Sequence, residues 1–258
     1  MQIIEFTKMV AAGNDFAVVN NMAGNYDLPH PALQALAKKM CDRKYGIGAD
    51  GLLFIEKSDK ADLAMRIFNP DASEANMCGN GARCCARFFD FNIASTSGEP
   101  VRIETKSGIL ESLVKSDTVL LEMSEPHSMK IGPKINFINT GVPHAVIFVD
   151  NLENTDVDSL GRKIRNSEEF APQGANVDFV KVIDKDTIEV RTYERGVEAE
   201  TLACGTGSVA AAIISGAHNV ITRGKERLKV YFDKKDGKIV NVRLEGSAKI
   251  VYKGRIEL

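Results

Sequence analysis

The 258-residue chain carries 33 Lys and Arg against 35 Asp and Glu, a formal charge of −2, and 44% of its residues are hydrophobic. That balance leaves no cationic field for nucleic acid and no acidic or basic arm, and no run of about 18 apolar residues exists to span a membrane. A chain of this length buries roughly 70–75% of the surface its unfolded form exposes, enough for one large core or two modest ones without cross-links. Its five cysteines are odd in number and include the adjacent Cys84 and Cys85, so thiols are expected rather than a disulfide framework.

The opening stretch Met-Gln-Ile-Ile-Glu-Phe-Thr-Lys-Met-Val lacks a basic segment followed by an apolar one, so it is read as a first strand rather than a leader, and a cytoplasmic protein is expected. After Pro31, residues Leu33, Leu36, Ala37, Met40 and Cys41 fall at i, i+3, i+4, i+7 and i+8, the stripe of an amphipathic helix. A β-like run follows at 61–68, and then the box Ser73-Glu-Ala-Asn-Met-Cys-Gly-Asn-Gly-Ala82, which enters a helix carrying Ala82, Cys85, Ala86 and Phe89. Further β-like runs are expected at 118–123 and 145–149, a second helix stripe at Val157, Leu160 and Ile164, and strands near 187–192, 228–232 and 239–244. Several of these alternate apolar with polar residues, so one sheet face is expected to be wet, which favours an α+β fold.

The chain also repeats itself. Ala199-Glu-Thr-Leu-Ala-Cys-Gly-Thr-Gly-Ser208 echoes the first box at an offset of 126, matching Glu74 with Glu200, Cys78 with Cys204, Gly79 with Gly205 and Gly81 with Gly207. Gly48-Ala-Asp50 echoes Gly174-Ala-Asn176 at the same offset, and Gly13-Asn-Asp-Phe-Ala-Val echoes Gly141-Val-Pro-His-Ala-Val at 128. Two halves of one design are expected, an N-terminal lobe over 1–117 and a C-terminal lobe over 118–258, with the stretch 125–134 as the alternative boundary.

Each box places its cysteine just before a helix, where unpaired backbone N–H groups stabilise a thiolate and would equally bind a carboxylate or phosphate. One such box is usually a tight turn with a buried thiol; two in matched surroundings suggest two thiols serving one cleft. Cys41 and Cys85 fall on apolar helix faces and are read as core residues, and Cys84 takes no reading. No paired short-spaced ligands suggest a metal, no complete phosphate-binding glycine motif is present, and among the four histidines only His144, in Gly-Val-Pro-His, has the context of a base. Two equivalent acid/base groups suit inversion at a carbon, in which one removes a proton from one face and the other delivers a proton to the opposite face.

These residues resemble the diaminopimelate epimerase family, cofactor-independent enzymes that interconvert LL- and meso-diaminopimelate in bacterial lysine and peptidoglycan synthesis. The match runs through Gly13-Asn-Asp-Phe16, Gly46-Ile-Gly-Ala-Asp50, Asn69 to Arg83, Gly141-Val-Pro-His144, Gly174-Ala-Asn176, Glu194-Arg-Gly-Val-Glu198 and Ala203 to Ser208. The resemblance implies two pseudo-symmetric α+β lobes, each a mixed β-sheet wrapped around a central helix, with the last strand, about 247–258, returning to the first lobe. It implies Cys78 and Cys204 as the catalytic pair and His144 and Glu194 as groups that tune their pKa values. Substrate contacts carried over by position are Asn14, Asn69, Gly79, Asn80, Asn176, Glu194, Arg195, Gly205 and Thr206. No metal or cofactor is implied; the expected partner is a small amino-acid substrate, and a homodimer is compatible with the resemblance. Two positions depart from the pattern. Val142 stands where many members have Asn, and Gly51 where some have Gln, each removing an amide from the distal end. A cofactor-independent racemase of another amino acid such as histidine therefore stays open beside the main reading, as does a related isomerase or binding protein for a non-amino-acid ligand.

Overall fold

The computed structural model describes residues 3–257. The chain forms two compact units, one running to Leu121 and taking in the stretch from Ser247 onward, the other Glu122–Gly246.

In the first unit β1 (Ile3–Ala11) and β2 (Asn14–Asn21) form an antiparallel hairpin, and α1 (His30–Cys41) leads to β3 (Gly51–Glu56), which lies parallel to β2. Strand β4 (Leu63–Phe68) runs antiparallel to β3 and folds back into the short β5 (Glu74–Ala75). Helix α2 (Gly79–Asn92) then leads to β6 (Val101–Thr105), parallel to β4, and β7 (Gly108–Lys115) and β8 (Thr118–Glu122) continue antiparallel.

The second unit repeats this sequence of pairings. Strands β9 (His127–Lys130), β10 (Asn136–Asn139) and β11 (Pro143–Phe148) are antiparallel, α3 (Val157–Arg165) leads to β12 (Asn176–Val182) parallel to β11, and β13 (Thr187–Glu194) folds back into β14 (Ala199–Thr201). Helix α4 (Gly205–Ser215) is followed by β15 (Asn219–Ile221), parallel to β13, and by the antiparallel β16 (Arg227–Lys235) and β17 (Lys238–Ser247). The final strand, β18 (Lys249–Glu257), pairs antiparallel with β1 from Ile3↔Glu257 to Val10↔Lys249, the place in the first unit that β9 holds beside β10 in the second.

Each unit is a mixed sheet around one helix, as the two-lobed α+β expectation has it. Helix α2 touches β1, β2, β3, β4, β6, β7 and β18, and α4 touches β10, β11, β12, β13, β15 and β16. The α4 sequence is apolar all round, so it can only be a core helix, and Gly207 to Ile213 are all buried. Helix α1 covers the other side of its sheet with Leu33, Leu36, Ala37, Met40 and Cys41 against Ile4, Phe6, Leu52, Phe54 and Phe68. Burying each large apolar side chain contributes roughly 1.5–3 kcal/mol, which is why that stripe fixes the helix face.

The corresponding α3 departs from its expected stripe. Val157 is buried and Ile164 packs on its cluster, but Leu160 is 45% exposed. The contact is made by Gly161 instead, where a Cβ would sit 2.4 Å from the Tyr193 Cβ, so close apposition of helix and strand rotates Leu160 outward. Among the described residues no helix is long and apolar enough to cross a membrane.

Candidate active site

Both units present a cysteine at the same local position. Cys78 caps α2 in an extended conformation, φ −147° and ψ 120°, and its Sγ accepts the Gly81 N–H at 3.4 Å while its carbonyl accepts from Ala82 at 2.8 Å. A thiol thus does what Ser or Asp does at an N-cap, and the hydrogen bond and the positive end of the helix favour its thiolate. Cys204 caps α4 in the same extended region, with its Sγ 3.5 Å from the Thr206 hydroxyl. Gly79 and Gly205 are the first helical residues behind the two thiols.

Around Cys78 the polar side chains form a directed chain. Arg83 donates to the Asn80 Oδ1 at 2.5 Å, the Asn80 amide donates to the Asn14 Oδ1, and the Asn14 amide donates to Asp50 at 3.2 Å. Arg83 can only donate, so the Asn80 oxygen faces it and the orientation of both amides that follow is fixed. Asp50 also accepts from Arg43 at 2.8 Å, and Arg43 reaches Asp15, which Lys8 pairs at 2.6 Å. Burial alone would raise the Asp15 carboxyl, but hydrogen bonds from Arg43 and Lys8 outweigh it and hold it down at about 2. Asn69 lies in the turn between β4 and β5, bonded to Ser73 by its side-chain amide at 2.9 Å and by its backbone N–H at 2.8 Å.

Around Cys204 the surroundings are acidic. Fully buried His144 pairs through Nδ1 with Asp178 at 2.7 Å, whose other oxygen accepts from the Thr192 hydroxyl at 2.7 Å. Asn176 lies 3.4 Å from the His144 Nε2 and takes the Arg195 N–H on its Oδ1 at 2.7 Å. The Arg195 guanidinium contacts the Gln173 carbonyl at 3.3 Å, and the Thr140 hydroxyl donates to the Thr206 carbonyl at 3.0 Å. Burial pushes the Cys204 thiol well above its ordinary value, and the Glu194 and Asp178 carboxylates push the same way against the smaller help of Thr206 and the Gly207 N–H. Burial likewise raises Glu194. Burial and the two carboxylates thus favour the neutral thiol at Cys204.

The remaining thiols lie away from the helix N-termini. Burial raises Cys41 to about 11 and lifts Cys84 and Cys85 as well, and all three lie in the core. Among the described residues no three His, Cys, Asp or Glu side chains cluster as a metal site.

The structure thus gathers Asn14 and Asn80 beside Cys78, gathers His144, Asn176, Glu194 and Arg195 near Cys204, and leaves Asn69 in a turn with local bonds only. Sequence reasoning did not single out Asp178, Thr192, Asp50 or Arg83 as site residues. For Asp178 a signal existed: it is the one acid in the strand Asn-Val-Asp-Phe-Val-Lys-Val, among residues otherwise suited to a buried sheet.

Comparison with known proteins identifies the family. The sequence profile of the family described as Diaminopimelate epimerase matches residues 6–129 and 136–258. The chain belongs to that family. It is 39% identical to a diaminopimelate epimerase of Chlorobaculum tepidum over 265 residues, covering 97% of this chain and 100% of the relative. It is 45% identical to one of Archaeoglobus fulgidus over 236 residues, 82% of this chain and 81% of that one. Solved structures extend the family's fold. A Bacillus anthracis phenazine biosynthesis protein of the PhzF family superposes with a TM-score of 0.77 at 18% identity over 100% of both chains. A hydroxyproline epimerase of Agrobacterium vitis does so at 0.68 and 15% identity, over 99% of this chain and 91% of that one.

Proposed function

We propose that the protein interconverts LL- and meso-diaminopimelate without a cofactor, using Cys78 and Cys204 as a base and acid pair. The observation that carries this reading is the duplication itself: two thiols, each capping the central helix of an equivalent unit, in a chain of the diaminopimelate epimerase family. A thiolate removes the α-proton, the pair of electrons delocalises toward the α-carboxylate, and the other thiol delivers its proton to the opposite face. The carbon is inverted, and the two thiols have exchanged protonation states. Backbone N–H groups of Gly79, Asn80, Gly205 and Thr206 bind the α-carboxylate at the helix N-termini, where negative charge gathers as the proton leaves. Glu194 takes the distal ammonium and Arg195 the distal carboxylate, with Asn14, Asn69 and Asn176 supplying amides. His144, held by Asp178 and facing Asn176, is placed to act with Glu194 in tuning the thiols.

A second reading, racemisation of another amino acid, has one observation in its favour. Val142 and Gly51 stand where the resemblance leads one to expect amides, and neither residue has a side chain that can hydrogen-bond a distal head group. Incubation with LL-diaminopimelate in D₂O, without pyridoxal phosphate, separates the two. The expected result is meso product carrying solvent deuterium at the inverted α-carbon. Faster turnover of histidine, lysine or proline than of LL-diaminopimelate would overturn the substrate assignment.

A further inference from the structure

The matched acids Glu74 and Glu200 have no place in the proton transfers, yet the structure gives them the same partner in each unit. Glu74 sits opposite Phe68 in the β4–β5 hairpin and takes a two-pronged bond from Arg66, Nε to Oε1 at 2.9 Å and Nη2 to Oε2 at 3.1 Å. Glu200 sits opposite Tyr193 in the β13–β14 hairpin and takes the same fork from Arg191, at 2.6 Å and 2.7 Å. Phe68 and Tyr193 each directly follow, by two positions, the arginine of their clamp, so the register is conserved between the units.

What each hairpin carries gives the pair its meaning. The β4–β5 turn holds Asn69, and the strand leaving it reaches Cys78. Glu194 ends β13, paired with Ala199, Arg195 opens the β13–β14 turn, and Cys204 follows three residues after β14. Strands this short, two and three residues, form few ladder bonds of their own. A forked Arg–carboxylate pair fixes both distance and plane, which a single backbone bond or a lysine does not.

The clamps are also anchored to what surrounds them. Glu74, with a side chain only 4% exposed, also meets Lys106 at 2.8 Å and His30 at 3.2 Å. Arg191 sends its remaining nitrogen to the carbonyls of Leu152, Glu153 and Thr155, just ahead of α3, and the Glu200 N–H bonds Asp158 in the first turn of that helix. In each unit the hairpin is therefore tied to the frame by charge-assisted bonds placed a few residues before the thiol.

Resting on the two-thiol reading above, we propose that Arg66–Glu74 and Arg191–Glu200 are positioning pairs, each setting the place of its own unit's thiol relative to the substrate-binding residues on the same hairpin. Neither pair touches the reacting atoms. Each acts on one thiol.

The test is labelling of the folded protein with iodoacetamide, read at Cys78 and Cys204 separately by peptide mapping, for Arg191→Met, Arg191→Lys, Arg66→Met and Arg66→Lys. Arg191 variants are expected to change the Cys204 labelling rate by about tenfold and leave Cys78 within about twofold, and Arg66 variants to do the converse. Lysine keeps the charge but not the fork, so it is expected not to rescue, and kcat should fall by about 10- to 100-fold in each variant, on the scale of a misplaced reacting group. Glu200→Gln and Glu74→Gln, which keep size and one prong, serve where a methionine variant does not fold. Lysine variants that label and turn over like the wild type, or a response shared equally by both thiols, would overturn the proposal. The labelling needs no substrate. A wild type that fails to epimerise diaminopimelate therefore overturns the functional reading and leaves the clamps to be judged on labelling alone.

Discussion

Gly81 and Gly207 occupy the same place in the two cysteine boxes, and the structure assigns them different tolerances. A Cβ at Gly207 would lie 2.3 Å from the Asp178 Oδ1, 3.1 Å from its Cγ and 3.2 Å from the Thr192 hydroxyl. That carboxylate cannot swing aside, because His144 and Thr192 each hold it at 2.7 Å. Gly207→Ala therefore combines overpacking, about 1–3 kcal/mol, with loss or distortion of a charge-assisted bond worth about 1.5–3 kcal/mol, against a helix-propensity gain of up to about 1 kcal/mol. The expected net cost is about 2–5 kcal/mol on the same scales, a large share of a domain's stability. At Gly81 the one close approach is to the Leu53 Cδ2, at 2.9 Å, the far end of a flexible side chain, while the Cys78 Cβ and the Ile67 Cδ1 lie at an ordinary van der Waals 3.5 Å. Gly81→Ala is expected to stay within about 1 kcal/mol of the wild type. Urea unfolding at pH 7, followed by circular dichroism with the slope held as a check, measures both. The reasoning is refuted if Gly207→Ala unfolds within about 1 kcal/mol of the wild type, or if Gly81→Ala is the more damaging change.

Cys78→Ala and Cys204→Ala are each expected to abolish epimerisation from both LL and meso substrate with the fold retained, whereas Cys41→Ala keeps activity; substantial turnover in either of the first two would end the two-base assignment. Arg195→Met is expected to raise the KM for LL-diaminopimelate and lower kcat/KM by about 10- to 100-fold, since a charge-assisted contact is worth about 1.5–3 kcal/mol, and steady-state kinetics checks it. Asp15 has a folded-state pKa of about 2, below its unfolded value, so its contribution is fully present above about pH 4 and is lost as the pH falls through about 2. Asp15→Asn should accordingly lower the urea midpoint at pH 6 and flatten its decline between pH 5 and pH 2.

The features most legible in sequence were those written in local periodicity or in repetition. The α1 stripe from Leu33 to Cys41 is buried throughout, because five apolar residues at helical spacing leave a helix one way to face a sheet. The echo between the boxes, down to Glu74 and Glu200, corresponds to one pattern of strand pairing used twice. What stayed hidden depends on partners far away in sequence. Leu160 faces outward because Gly161 meets Tyr193, thirty-two positions on, and no spacing rule within α3 contains that contact. Asp178 reads as an odd residue in a strand until His144 and Thr192 are known to flank it. Asn14 and Asn80 could be named as candidates, but the order in which Arg83, Asn80, Asn14 and Asp50 pass hydrogen bonds is a property of three-dimensional neighbours.

The pairing of β18 with β1 bears on how the chain assembles as it is made. The second unit is contiguous, so everything it needs has been synthesised once Gly246 has emerged. The first unit begins earlier and finishes later: until residues 249–257 follow, β1 has an unpaired edge along Ile3 to Val10, and Ile4 and Phe6 lack part of their cover. The first unit therefore cannot close its sheet before the sequence of the second has been made, and that interval leaves a β-edge of the kind that favours capture by a chaperone or by another nascent strand. Moving the β18 sequence ahead of β1, joined by a short loop between the paired ends Glu257 and Ile3, would make both units contiguous and close that interval.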